Sequence, residues 1–336
     1  MVRAPAPRPR VTAAMVAAHA ETNVSSVSLV VNGKHRGRVS EQLAARIRDA
    51  VDELGYVVDH SASALARGHG DLVILLAPDL SNPFFAEVIA GVQDTLGDRY
   101  QLMLSVTERG EQPCVDSLRR FNGLRPAGVL VDAPDETFAA VPAAEHPVVL
   151  FDAPDSAADL NALNYDYAPA IRSLAALLAE RGHRTVAYLD GSTRSATFAL
   201  RRAMLAEAVT SHGLHLLDDD VRADVTVSGA SAATRANLAR WREGGATAVI
   251  AAADTLAYGV LAEAHRAGVR IPEDLAVASF DDLPSSAVTA PALTSIALPG
   301  AALGRAAAER LVAMLDERPL PTPTPLETVL VRRASL

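Results

Sequence analysis

The chain has 336 residues, 49% of them hydrophobic and 21% charged, which predicts a sizeable folded core and excludes a disordered chain. No apolar run reaches the ~18 residues needed to span a bilayer, and the single Cys114 excludes an intrachain disulfide and fits a reducing cytoplasm. The net charge of −9 argues against a nucleic-acid partner, but residues 1–70 hold nine Lys and Arg against six Asp and Glu, a surplus of three, so the remainder carries −12.

Residues 1–11 are rich in Pro and Arg and read as a loose arm. They are basic but lead into no long apolar segment, which argues against a secretory signal. Residues 12–33 predict two short helices around a tight turn. Thr12 is a good N-cap, Val16 and Ala20 share a face, and Glu21-Thr22 form the turn. Asn23 caps a second helix in which Val27 and Val31 point inward while Val24, Ser25, Ser28 and Leu29 point elsewhere. Helices this short bury little, so the second gains a purpose if it is displayed, and a DNA major groove admits one helix. Taken alone, the pattern is equally that of an Ala-rich helical hairpin.

The stretch KHRGR, residues 34–38, is either a solvated turn or a set of phosphate contacts from Lys34, His35, Arg36 and Arg38. A third helix starts at Ser40, runs on a stripe of Leu43, Ile47, Val51 and Leu54, and stops at Gly55. Residues 58–69 read as a plain linker or as a marginal helix that forms only on DNA, with Leu65 as an apolar wedge for a minor-groove step.

From residue 72 the texture becomes strand alternating with helix. Candidate strands are 72–77, 101–106, 127–131, 147–151, 185–189, 223–227, 246–252 and 275–280. Short apolar strands between helices predict two doubly wound parallel sheets covered on both faces. Ligands in such folds sit beyond the carboxyl ends of strands. There the chain places Phe84 and Phe85, after a cap at Asn82 and Pro83, then Asp152, Asp254, Asp281 and Asp282. For Asp254, at the start of a helix, capping is the preferred reading. The Pro-rich residues 316–325 lead to a last strand-like run, so the chain is expected to cross between the sheets once more.

At this point the chain resembles the LacI/GalR family of bacterial transcription regulators. The ordered motifs that carry the likeness are VSSVSLVVNGK (24–34), RVSEQLAARIRDAVDELGY (38–56), LAPDLSNPFFAEVIAGV (76–92), AERGHRTVAYL (179–189), AADTLAYGVLAEAHRAGVRIPEDLAVASFDDLP (252–284) and PALTSIALP (291–299). The resemblance implies an all-α helix-turn-helix domain over 12–57, a hinge over 58–69 and an α/β periplasmic-binding-protein-like core over 70–336. It implies an N-subdomain of about 70–165 and 292–320, and a C-subdomain of about 166–291 and 321–334. It further implies a cytoplasmic, nucleoid-associated homodimer, or a dimer of dimers, on a palindromic double-stranded operator, modulated by a small ligand such as a sugar or nucleoside, with no cofactor, metal or membrane. Val24, Ser25 and Leu29 fall at base-reading positions, Ser26, Ser28 and Asn32 at backbone-contact or support positions, and Leu65 at the hinge leucine. Phe84, Phe85, Asp152, Thr197 and Asp281 fall at effector-pocket positions.

The chain also departs from the family. Leu29 stands where Arg is usual and can make only apolar contact with bases. Glu21-Thr22 replaces a small Gly-containing turn, and a negative charge there is unfavourable near phosphates unless it points away. Val58-Asp59 replaces Pro-Asn. Thr197 and Ala253 replace an Arg and an Asn of the pocket, so either the ligand is unusual, Arg194 or Arg201 substitutes, or the ligand response is lost. Two other classes compete: a solute-binding protein with the same core, against which the basic head argues, and an enzyme. For the enzyme the sequence offers no GxGxxG at a strand end, no GxxxxGK[ST], no GxSxG and no HExxH, and its histidines show no metal-ligand spacing.

Overall fold

Thr12 opens the first helix, α1 (Ala13–His19), its hydroxyl accepting from the Met15 N–H at 3.3 Å. Asn23 opens α2 (Val24–Val31) in the same way, accepting from Ser26 N–H at 2.8 Å. Ser40 opens α3 (Glu41–Leu54), and Gly55 closes it in the left-handed conformation, at φ 64°, that glycine adopts without strain. These helices enclose a core of Val16, Ala17, Ala20, Val27, Val30, Ala44, Ile47 and Ala50. The inward pair on α2 is thus Val27 and Val30, three apart; Val31, expected inside, is only half-buried. A helix this short turns 100° per residue, and the i,i+3 pair meets α1 and α3 better than i,i+4 does.

This computed structural model describes residues 11–31, 33, 35–56, 70–78, 82–107, 111–140, 146–156, 161–193, 195–320 and 322–336. The arm over 1–10, Asn32, Lys34, the hinge with Leu65, and Arg194 lie outside the described residues. The chain divides into two units, Met1–Gly70 and Asp71–Leu336.

The second unit alternates strand and helix in the order β1 (Leu72–Ala77), α4 (Phe84–Leu96), β2 (Gln101–Val106), α5 (Val115–Arg119), β3 (Gly128–Asp132), β4 (Val148–Phe151), β5 (Ala162–Leu163), β6 (Tyr165–Asp166), α6 (Ala168–Glu180), β7 (Thr185–Gly191), α7 (Ala196–Ser211), β8 (His215–Leu216), β9 (Arg222–Ala223), α8 (Val227–Glu243), β10 (Ala248–Ala251), α9 (Asp254–Arg266), β11 (Ala276–Asp281), β12 (Thr294–Ala297), α10 (Gly300–Leu315), β13 (Leu326–Glu327) and β14 (Val329–Val331). The first sheet has the order β2-β1-β3-β4-β5 and is wholly parallel. The second has the order β14-β12-β11-β10-β7-β8, with β9 against β7, and only β14 runs antiparallel. No described helix is long and apolar enough to cross a membrane.

Three expectations change. The strand expected over 223–227 ends at Ala223, because the Thr226 hydroxyl accepts from Gly229 N–H at 3.0 Å and starts α8; capping overrides the alternation of ADVTV. The tail run splits in two, β13 pairing with β6 in a small bridge sheet and β14 joining the second sheet. The subdomain boundary at 292 moves, since β12 pairs with β11 in the second sheet and the chain crosses to the first only at residues 298–299.

α10, arriving after that crossing, completes the first sheet's cover. It meets α4 backbone to backbone: a Cβ on Gly304 would strike the Val88 carbonyl, and one on Gly91 the Ala301 carbonyl. Alanine is the better helix former by ~1 kcal/mol, but here it has no room that a side-chain shift can make. Gly304→Ala is therefore expected to destabilise the protein by about 1–3 kcal/mol through overpacking, read as a lower denaturation midpoint in urea.

Candidate functional site

Two regions hold the residues singled out by sequence. On the head, α2 buries Val27 and Val30 and turns Val24, Ser25 and Ser28 outward. Ser26 and Leu29 sit half-buried at the edge of that face. Arg36 and Arg38 are exposed in the following turn. His35 behaves differently from its neighbours: its side chain is only 12% exposed, and Arg48 donates to its Nε2 at 3.0 Å. It ties the turn to α3 and does not project from it.

The α1–α2 turn places Glu21 at φ 48°, a conformation strained for any side chain. Arg46 of α3 holds the turn from behind, donating to the Ala20 carbonyl and, at 3.4 Å, to the Glu21 carbonyl. Its guanidinium also lies 3.9 Å from the Glu21 carboxylate, which gives that charge a partner.

In the second unit a cavity of about 460 Å³ opens between the carboxyl ends of the two sheets. It gathers Phe84, Phe85, Asp152, Thr197, Arg201 and Asp281. The two phenylalanines pack edge to face, with centroids 5.7 Å apart. Asn82 caps their helix, accepting from Phe84 N–H at 3.1 Å. Thr197 is buried and donates to the Asp152 carbonyl at 3.3 Å, so it serves the wall.

Arg201, projecting from α7, is the centre of the cavity floor and is 3% exposed. Its Nη1 donates to the Ala252 carbonyl at 2.9 Å and to Asp281 at 3.3 Å, and its Nη2 to the Tyr167 hydroxyl at 3.2 Å. Tyr167 in turn donates to Asp152 at 3.3 Å. The guanidinium also lies near the rings of Tyr167, Phe280 and Phe198, 5.1, 5.1 and 5.7 Å from their centroids. One chain of polar contacts therefore joins the end of β11 in the second sheet to the end of β4 in the first.

Burial weighs on the charges in this floor. It would lower Arg201, but Tyr167, Asp281 and Asp152 hold its guanidinium above the usual value. Burial raises Asp281 to about 7, against the pull of Arg201 and with a further push from Asp254. Burial likewise raises Asp152, opposed by Arg201, and pushes Asp132 well up, with the Asp152 charge adding to it. Three backbones along this rim have positive φ without being glycine: Ala133, Asp152 and Asp281, at 43°, 49° and 109°. Such strain is held where packing over-determines the chain, commonly at binding sites.

Asp254 is not the helix cap expected of it. The cap is Ala253, and the Asp254 carboxylate turns inward to accept from the Ser279, Ser286 and Ser295 hydroxyls and from Leu283 N–H, the last two at 2.7 Å each. Buried and surrounded by hydroxyls, it satisfies more donors there than at the helix end. Sequence reasoning missed Asp132 and Tyr167. Asp132 ends β3 as Asp152 follows β4, so the same strand-end rule points to it; Tyr167, on a crossover, carries no such signal. Among the described residues no group of three His, Cys, Asp or Glu side chains is placed to hold a metal ion.

Residues 175–336 match the family model of a periplasmic binding protein-like domain. The chain is 32% identical over 285 residues to the HTH-type transcriptional regulator GntR of Pseudomonas aeruginosa, covering 82% of each protein. Among solved structures it is similar to a LacI-family transcriptional regulator from Silicibacter pomeroyi, with a TM-score of 0.81 at 25% identity over 97% of this chain and 99% of that one. It is also similar to the transcriptional regulator CelR in complex with cellobiose, with a TM-score of 0.67 at 27% identity over 97% of this chain and 100% of that one. The class is thus that of transcriptional regulators with a helix-turn-helix segment and a periplasmic-binding-protein-like core. The chain belongs to the LacI/GalR family.

Two outcomes are expected. Glu21→Gly removes the strained φ at the turn and should stabilise the head by ~1 kcal/mol, seen as slower hydrogen exchange of the amides in 13–31. Asp281, whose folded value of about 7 lies above its ordinary 3.8, contributes stability at low pH that is lost as pH rises through about 7. Asp281→Asn should therefore gain on the wild type between those two values, whatever their fixed offset; parallel denaturation midpoints against pH would contradict this.

Proposed function

We propose that this chain is a repressor that binds a palindromic DNA operator as a homodimer and is modulated by a small ligand held in the cavity around Arg201. The observation that carries the reading is α2. One face is anchored in the head's core, and the other offers Val24, Ser25 and Ser28 outward, as a groove-reading helix must. Leu29, at the edge of that face, supplies apolar contact where an Arg would read guanine. Ser26 supports the helix and approaches the backbone, and Asn32, Lys34 and Leu65 are the further DNA-contacting residues that the sequence implies. Arg36 and Arg38 meet phosphates, while His35 positions their turn through Arg48.

The ligand reading rests on the strand-end groups Asp152 and Asp281, on Phe84 and Phe85 at the wall, on Thr197, and on Arg201 in place of the family's usual arginine. CelR is described with a bound cellobiose, and a polyhydroxylated ligand fits a cavity lined by carboxylates and aromatic faces. A ligand can shift the balance between operator-bound and free forms only by its different affinity for the two. The role is regulatory, without catalysis, and the site of action is the cytoplasm.

Replacing Arg36 and Arg38 together by Ala is expected to weaken binding to operator and random DNA alike. It should also reduce the slope of log affinity against log salt by about four for the homodimer, one for each phosphate no longer neutralised by the two arginines of each protomer. Fluorescence anisotropy across a salt series measures both; an unchanged slope removes these arginines from the interface.

A further inference from the structure

Among the described residues the cavity's charges do not balance. Among the described residues that line it, four are carboxylates, Asp132, Asp152, Asp224 and Asp281, and one is a cation, Arg201. Arg201 is already engaged by Asp281, the Ala252 carbonyl and Tyr167. Asp224 is exposed and accepts from the Ser192 hydroxyl at 2.8 Å. Asp152 accepts from Tyr167. Asp132 is 3% exposed, lines the cavity, and has no hydrogen-bond partner at its Oδ1 among the described residues; Asp281 also has an open oxygen, Oδ2, but its Oδ1 already accepts from Arg201.

Asp132 and Asp152 end neighbouring strands of the first sheet, where Asp132 of β3 registers with Phe151 of β4. Burial raises both carboxyls, and the Asp152 charge adds to the rise at Asp132. Buried with an open acceptor, such a carboxyl is costly as an anion and keeps its proton until a cation arrives to replace it. A ligand hydroxyl would offer one donor and leave the charge in place. An ammonium offers three donors and a compensating charge. The cavity is also lined by the rings of Phe84, Phe85 and Phe198, which can take the apolar face of a small ring.

We propose that the effector is a small polyol carrying a protonated amine, of the amino-sugar class, with the ammonium seated between Asp132 and Asp152. This rests on the reading of the cavity as the effector site. Anionic sugar acids are disfavoured at the same place by the same two carboxylates.

Matched pairs test it on the full-length protein, by titration calorimetry in phosphate buffer near neutral pH. The pairs are glucosamine with glucose, galactosamine with galactose, and Tris with its neutral isostere 1,1,1-tris(hydroxymethyl)ethane; gluconate serves as the anion. The amine of at least one pair is expected to bind about tenfold or more tighter than its neutral partner. In Asp132→Asn that advantage, read as the ratio of the two affinities within each pair, should fall to near parity. The wild-type comparison stands without the variant should Asp132→Asn not fold. Neutral partners binding as well as the amines, or gluconate binding best, overturns the amine assignment and leaves the cavity reading standing. Failure of every compound to bind overturns both.

Discussion

A single buried guanidinium organises the core. Arg201 reaches out of α7 to a carbonyl after β10, a carboxylate at the end of β11 and, through Tyr167, a carboxylate after β4. Its neighbours belong to both sheets, so it is the point at which the two halves of the cleft are electrically coupled. Burying such a charge is unfavourable in itself, and it persists because hydrogen bonds and aromatic faces surround it. Removing Asp281 leaves an uncompensated charge, and removing Tyr167 leaves a buried donor unsatisfied, which is why buried networks of this kind behave as a unit. A ligand that displaces even one of these groups changes how the sheets are held, and that is the physical means by which occupancy of the cavity can be felt elsewhere.

The head obeys a simpler economy. Eight buried residues, most of them Ala or Val, make its core, and a domain so small sits near the limit for folding by hydrophobic burial alone. Polar ties supplement it. Caps at Thr12, Asn23 and Ser40 satisfy helix ends, and Arg46 closes the turn where Glu21 is strained. The departure from a Gly-containing turn is thus tolerated because α3 supplies a cation to that corner. The charge that is unfavourable beside DNA has its partner within the fold.

Much of this is legible in the sequence where one signal acts alone. Caps before helices, apolar runs for parallel strands and the Gly55 stop are local, and the residues behave accordingly. Legibility fails where two signals compete. ADVTV alternates like a strand, yet Thr226 caps a helix. Asp254 begins a helix, yet three serines from distant segments draw it inward. In the cleft, Asp152 and Asp281 stand out because carboxylates at strand ends follow a positional rule, and Asp132 obeys that rule equally. The sequence offers Arg201 only as one of two substitutes for a missing arginine, because a helix residue's reach across a cleft depends on the angle at which the helix is set. Tyr167 has no local sign at all.

The tight crossing of α4 and α10 joins segments separated by some two hundred residues, with all of the second sheet except its last strand encoded between them. During synthesis the first lobe therefore emerges without its covering helix. At about 5–20 residues per second, roughly ten to forty seconds pass before α10 leaves the ribosome. Through that interval Val88, Val92 and the adjoining strands lack their native cover. This arrangement makes the nascent chain a natural client for chaperones and ties maturation of the first lobe to translation speed through the second. Codon choice between β6 and α10 becomes a physical parameter of the regulator's yield.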